Sequence, residues 1–339
     1  MKVAVAGLGF WAPFQIAGWQ EIPGVKVVAV NSRSEKRTHE VADQFGIPGR
    51  YTDFDRLLSE SDADVIDLIS GVDQHAPQTL ATLAKGRAVI VQKPMGEDLT
   101  QCEKMVGAAQ RAGVWFAVHE NWRYQAPLQR LQQLIEQGAI GQLNRLRLQF
   151  SCSFPVYDNQ PALKVAPRFI LSDIGSHVLD TARFLAGEPG AVFATACRTR
   201  PDVLGEDMAT VLFASDRRVQ VVAEMSYASR LERESFPQTY ALAEGTRGSI
   251  ELGRDYELRI TDIAGTRVEW ANPTTYPWCD PQYLLVHSSI VTCLRALHEA
   301  WKAGRPAETS GEDNRRTVRL VEAAYRSIET GQSVDPRTL

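Results

Sequence analysis

Three short runs of residues carry the chemistry of this sequence. Gly7-Leu8-Gly9-Phe10-Trp11-Ala12 has the form GxGxxA. Where a strand passes into a helix, the first glycine permits a tight turn and the second lets backbone approach a pyrophosphate. The small third residue lets the helix pack closely. The helix N-terminus then offers unpaired N–H groups and the positive end of its dipole to phosphate. Gln92-Lys93-Pro94 sets an amine beside a proline, whose ring restricts the backbone. The run from Asp173 to Asp180 (DIGSHVLD) spaces Asp173, His177 and Asp180 by four and three. On one helix all three share a face, with Ile174, Val178, Leu179 and Ala182 packing the other side. Such a face reads as a satisfied polar surface, a metal site or a general acid/base. No HExxH motif and no second His or Cys cluster supports a metal. Histidine side chains titrate near ~6.5, which suits proton transfer near neutrality.

The elements around these residues give them positions. Apolar runs at residues 2–6, 25–30, 64–70, 88–91 and 114–118 alternate with amphipathic stretches at 11–22, 34–45, 77–85 and 99–112. That rhythm predicts a parallel sheet with right-handed crossovers. It puts the glycines on the first strand–helix turn and Lys93 past the carboxyl end of a strand, where open α/β sheets bind ligands. After about residue 140 polar and apolar residues alternate, as in Arg145–Phe150, and short connections predict a largely antiparallel sheet. Helices are expected at 127–137, 172–185, 282–303 and 313–330. The reading is an α/β Rossmann domain over residues 1–122 and an α+β domain with an open, largely antiparallel sheet over 123–339.

The end of the second strand reads Asn31-Ser32-Arg33-Ser34, with no carboxylate before Glu35. An acidic residue there would accept from a ribose 2′-OH and repel a 2′-phosphate. Ser32, Arg33 and, one turn on, Arg37 would bind that phosphate, so NADP is expected ahead of NAD.

Composition excludes several classes. The 339 residues carry 37 Lys+Arg against 41 Asp+Glu, a net charge of -4, which is a poor match to nucleic acid. The uncharged run at 3–20 is broken by Gly7, Gly9, Pro13 and Gly18, unlike an export signal or membrane span. Five scattered cysteines without a CxxC pair point to reduced thiols in a cytoplasm. No GxSxG or GxxxxGK[ST] motif supports serine hydrolase or P-loop chemistry.

Taken in order, GLGFWA, His75, Gln92-Lys93-Pro94, Asn121-Trp122-Arg123-Tyr124, DIGSHVLD and Gly311-Glu312-Asp313-Asn314 resemble the Gfo/Idh/MocA oxidoreductases (glucose-fructose oxidoreductase, inositol dehydrogenase and relatives). The resemblance runs through almost the whole chain. It implies a catalytic set of Lys93, Asp173 and His177, and a coenzyme site that takes in Ser70, His75, Gln92 and Asn121 with the glycine turn. It further implies hydride transfer between nicotinamide and a secondary alcohol or carbonyl of a sugar, polyol or sugar acid. His177 is expected to take the hydroxyl proton and Lys93 to donate to the developing oxyanion, with Asp173 orienting one of them. Trp122 and Arg123 are expected at the substrate, alongside Lys93, Asp173 and His177, and Tyr157, Arg168, Tyr227 and Tyr283 are weaker candidates. A homodimer or homotetramer through the C-terminal sheet is expected. Alternatives are an NAD-dependent glycoside hydrolase working by transient oxidation and a non-catalytic dinucleotide sensor. Three departures stand out: Gln92 replaces the usual Glu, Ser70-Gly71-Val72 replaces Thr-Pro-Asn, and Ser32-Arg33 replaces the acidic ribose ligand.

Overall fold

The computed structural model describes residues 1–234 and 236–339, the side chain of Asn159 excepted. The chain divides into two compact units. The first comprises Met1–Asn121, Thr275–Asp280 and His287–Val318; the second comprises Trp122–Thr274, Pro281–Val286 and Arg319–Leu339.

In the first unit six parallel strands, β1 (Lys2–Ala6), β2 (Lys26–Asn31), β3 (Gly49–Tyr51), β4 (Val65–Leu68), β5 (Ala88–Gln92) and β6 (Phe116–His119), form a sheet ordered β3-β2-β1-β4-β5-β6. The helices are α1 (Ala12–Gln20), α2 (Glu35–Phe45), α3 (Phe54–Glu60), α4 (Val72–Ala84) and α5 (Leu99–Ala112). β4 and β6 are buried along their whole length, Asp67 and His119 included, as strands between two helical layers should be. Ser34, Asp53 and Asp98 cap α2, α3 and α5 by accepting backbone N–H groups, which places three helix starts from local chemistry alone. β3 and α3 lie outside the sequence expectation, because a three-residue edge strand is too short to show a period. Counting β3 makes the strand before Lys93 the fifth. The outer edge of β6 is covered by the chain's return: Val118 N–H donates to the Thr309 carbonyl at 2.8 Å, and Thr309 Oγ1 donates to the Val118 carbonyl at 2.8 Å.

The second unit contains β7 (Leu143–Ser151), β8 (Pro189–Cys197), β9 (Met208–Ser215), β10 (Gln220–Ser226), β11 (Tyr240–Gly245), β12 (Gly248–Leu252), β13 (Glu257–Asp262) and β14 (Gly265–Trp270). Their order is β14-β13-β12-β11-β7-β10-β9-β8, antiparallel throughout except for the β7–β10 pair. The remaining helices are α6 (Ala126–Glu136), α7 (Val156–Asn159), α8 (Ser176–Ala186), α9 (Leu284–Lys302) and α10 (Gly311–Thr330), the last two divided between the units by residue as given above. Period-two alternation sends Leu146, Leu148, Phe150, Val221, Ala223 and Ile250 into the core, where α8 packs on β7 and β10 and α6 packs on β12 and β13. The opposite face carries one register-aligned row: Phe193, Leu212, Val222, Arg147, Leu242, Glu251, Arg259 and Val268. Phe193, Leu212 and Val268 in that row are exposed.

Candidate active site

In the first unit the glycine turn is built as the motif requires. Gly7 has φ +95°, and a Cβ there would lie 2.3 Å from the backbone nitrogen of Ser70, so strain and close approach both demand glycine. A Cβ on Gly9 would meet nothing within 4 Å, which leaves open space over the turn. Ala12 is fully buried where α1 begins, Phe10 is exposed, and no side chain caps α1. An open glycine, an uncapped helix start and a carboxylate-free turn fit a pyrophosphate. Trp11 Nε1 donates to Gln15 Oε1 at 3.1 Å and holds the turn to its helix.

His75 is buried, with Nδ1 2.9 Å from the Pro94 carbonyl and Nε2 3.0 Å from the Ser70 carbonyl. The ring sits between the turn after β4 and the turn that carries Lys93, and as a neutral imidazole it donates its one N–H to one of the two carbonyls. Burial pushes its pKa below the ordinary imidazole value. Ser70 donates its hydroxyl to Gln78 at 2.6 Å. The Lys93 N–H donates to Gln92 Oε1 at 2.9 Å. Asn121 is buried and donates to Ser289 Oγ at 2.7 Å. At the end of β2, Asn31 donates to the Tyr51 carbonyl and Ser32 Oγ accepts the Ser34 N–H. Arg37 Nε donates to the Leu8 carbonyl at 2.9 Å, so this arginine buttresses the glycine turn. Arg33 is exposed and forms no ion pair among the described residues.

In the second unit the DIGSHVLD run does not form one α-helical face. Residues Leu171–Gly175 are a π-helical turn, with Gly175 N–H donating to the Ile170 carbonyl at 2.7 Å, and α8 starts only at Ser176. The wider turn breaks the spacing that would align Asp173 with His177 and Asp180; such turns recur at functional sites. Asp173 Oδ2 accepts the Tyr227 O–H at 3.3 Å. Burial and the Asp173 charge hold the Tyr227 phenol well above its ordinary pKa, so it remains a donor. The His177 imidazole stacks on Trp122, centroids 4.5 Å apart and planes at 18°, and Trp122 Nε1 donates to Thr239 Oγ1 at 2.9 Å.

Asp180 leaves this group. It is fully buried and accepts Nε and Nη2 of Arg123, each at 2.6 Å, with Arg183 Nη1 at 3.7 Å. Arg123, expected at the substrate, is thus turned inward, because a bidentate carboxylate is the strongest partner its fork can find. Arg168 pairs with Glu322 and Glu329 and lies over Tyr325, and Tyr283 packs edge-on against Phe154 and Phe236. Tyr157 is buried, and its hydroxyl has no hydrogen-bond partner among the described residues. Sequence reasoning passed over Asp67 and Gln15, although a carboxylate set between Ile66 and Leu68 in the middle of the run 64–70 was a visible signal.

Residues 1–120 match the family model described as "Oxidoreductase family, NAD-binding Rossmann fold", and residues 128–251 match the GFO/IDH/MocA C-terminal domain. The chain belongs to the Gfo/Idh/MocA oxidoreductase family. It is 34% identical over 335 residues to a D-apiose dehydrogenase of Rhizobium rhizogenes, covering 99% of this chain and 97% of that one. It is 23% identical to a myo-inositol 2-dehydrogenase of Thermotoga maritima, covering 98% of each. Among solved structures, an oxidoreductase from Agrobacterium radiobacter in complex with NAD+, L-tartaric acid and magnesium superposes with a TM-score of 0.98 at 34% identity, covering 100% of this chain and 99% of that one. As a Gfo/Idh/MocA protein the chain is an NAD(P)-dependent oxidoreductase, with the fold class expected from its sequence. No helix among the described residues is long and apolar enough to cross a membrane.

Proposed function

We propose that this enzyme oxidises a sugar hydroxyl, on a pentose or similar small sugar such as the apiose named for its relatives, with Lys93, Asp173 and His177 as its catalytic residues. The bound nicotinamide supplies the hydride acceptor. Lys93 donates a hydrogen bond to the substrate oxygen as its C–O bond becomes a carbonyl. His177 takes the hydroxyl proton, its ring plane held by the stack on Trp122. Asp173 accepts from Tyr227 and from a second sugar hydroxyl, which fixes the ring for hydride loss. That carboxylate–phenol pair on a π-helical turn is the observation that carries the reading. Arg123 is left out of the substrate set, since its charge is already neutralised by Asp180. Steady-state kinetics with apiose, xylose and inositol test the assignment. Lys93→Ala and His177→Ala should each lower kcat by about 10²–10⁴; near-wild-type kcat in both would overturn it.

For the coenzyme we infer NADP ahead of NAD, held by Gly7, Gly9, Phe10, Trp11, Ala12, Ser32, Arg33 and Ser70. The exposed Arg33 guanidinium supports this, being available to a 2′-phosphate. We also propose a homodimer or homotetramer through the open face of the second unit's sheet. The row from Phe193 to Val268 mixes exposed apolar side chains with charges that can pair with a second copy. Light scattering of wild type and Leu212→Glu checks it, a monomeric wild type being the contrary result. Five free thiols suit a reducing cytoplasm, where we place the enzyme.

A further inference from the structure

The buried polar cluster behind Lys93 has a direction. Asp67, in β4, is fully buried between Val5 of β1 and Ile90 of β5. Its carboxylate accepts Gln15 Nε2 at 2.9 and 2.8 Å and Trp19 Nε1 at 2.7 Å. Gln15 is fully buried too, and its Oε1 accepts Trp11 Nε1 at 3.1 Å and Gln92 Nε2 at 3.0 Å. Gln92 Nε2 also lies 3.3 Å from His119 Nδ1, and Gln92 Oε1 accepts the Lys93 N–H at 2.9 Å.

A glutamine amide donates on one side and accepts on the other, and its neighbours decide which way round it sits. An ionised carboxylate only accepts. Asp67 therefore holds the Gln15 NH2 toward itself and the Gln15 oxygen away. That oxygen draws the Gln92 NH2, which leaves the Gln92 oxygen for the Lys93 N–H. The same Gln15 oxygen holds Trp11 of the glycine turn. We propose that Asp67 is a positioning residue that acts through Gln15 and Gln92 on the backbone of Lys93, and through Gln15 and Trp11 on the coenzyme turn.

The arrangement also explains why an amide stands at 92. A glutamate there would set oxygen against Gln15 Oε1 and put a second carboxylate into the same dry cluster. Gln15 has no remedy in turning over, because its oxygen would then face Asp67. The acid of this cluster sits on β4, and the residue beside the lysine is neutral.

The inference rests on Lys93 being catalytic, and the experiment separates the two. The cycle is Asp67→Asn, Gln92→Glu and the double variant, each measured for kcat, sugar KM and Tm. Each single change should lower kcat about tenfold and leave sugar KM within about twofold, the size expected of coupled neighbours. The double variant should regain part of the loss. An amide at 67 donates to Gln15, Gln15 turns over and donates to the carboxylate at 92, and that carboxylate accepts from Lys93 N–H, while Trp11 Nε1 loses its acceptor on Gln15. Single effects that simply multiply, or an Asp67→Asn enzyme with wild-type kcat, overturn the proposal. If Asp67→Asn does not fold, Gln92→Glu alone decides, and unchanged kcat in it is the contrary result. Tm separates the two readings. Non-additive Tm values support the relay even if Lys93→Ala keeps its activity, whereas additive Tm values beside an inactive Lys93→Ala refute the relay alone.

Discussion

Replacing Asp180 by Asn separates a structural arginine from a substrate-binding one. The wild-type carboxylate takes two hydrogen bonds of 2.6 Å from Arg123 and lies 3.7 Å from Arg183, and the side chains of the three residues are 0–4% exposed. Arg123 also lies over the Phe184 ring at 5.3 Å, and Arg183 holds Glu188 at 2.7 Å. The amide keeps the shape but removes the charge that offsets the desolvation of Arg123. Breaking a buried pair in this way costs about 3–5 kcal/mol, which for a unit of this size lowers Tm by about 6–20 °C. Arg123→Met should show a loss of the same order. Arg123→Met/Asp180→Leu should recover much of it, since packed apolar residues replace buried ion pairs well. Differential scanning calorimetry reads the stability, and sugar KM is measured well below the lowest Tm. The expected pattern is a large Tm loss with KM within about twofold. Unchanged Tm with KM raised tenfold or more in Arg123→Met, about 1.4 kcal/mol of binding, would refute the argument and return Arg123 to the sugar.

Gly9→Ala should leave the coenzyme-free Tm within about 1 °C, because its methyl meets no protein atom, yet weaken coenzyme binding by filling the space over the turn. Gly7→Ala should cost about 1–3 kcal/mol of stability or more and so lower Tm even without coenzyme, since it is forced against Ser70 at positive φ; isothermal titration and thermal melts check both. Arg33→Ala should lower kcat/KM for NADP about tenfold and leave NAD within about twofold, and equal losses for both would remove Arg33 from the 2′-phosphate. Burial raises the Asp67 carboxyl from 3.8 to about 6, so the folded state holds that proton more tightly than the unfolded chain. The stabilisation is full below the unfolded pKa and fades as pH rises through about 6, so the unfolding free energy of wild type relative to Asp67→Asn should fall by about 3 kcal/mol between pH ~4 and ~6, then level off, as denaturant melts across that range would read.

Much of the fold was legible because it rests on local rules. The apolar runs between helices announced a parallel sheet, and the alternation in Arg145–Phe150 announced a one-sided strand. The three-residue β3 and the exposed β14 were not legible, since neither buries enough to leave a pattern. The DIGSHVLD run was misaligned because hydrogen bonding in residues 171–175 skips five residues instead of four, which no residue spacing reveals.

Residue types by themselves determined that this chain builds a tight glycine turn at Gly7, presents a lysine past a strand end, and carries an imidazole and a carboxylate four residues apart. Those features depend on backbone freedom and side-chain chemistry, which are written one residue at a time. Which polar groups are already satisfied was decided only by tertiary structure. Arg123 met Asp180 across 57 residues, and Asp67 met Gln15 across 52. A buried charge takes whatever partner the packed chain brings to it, and that partner is a property of the whole fold.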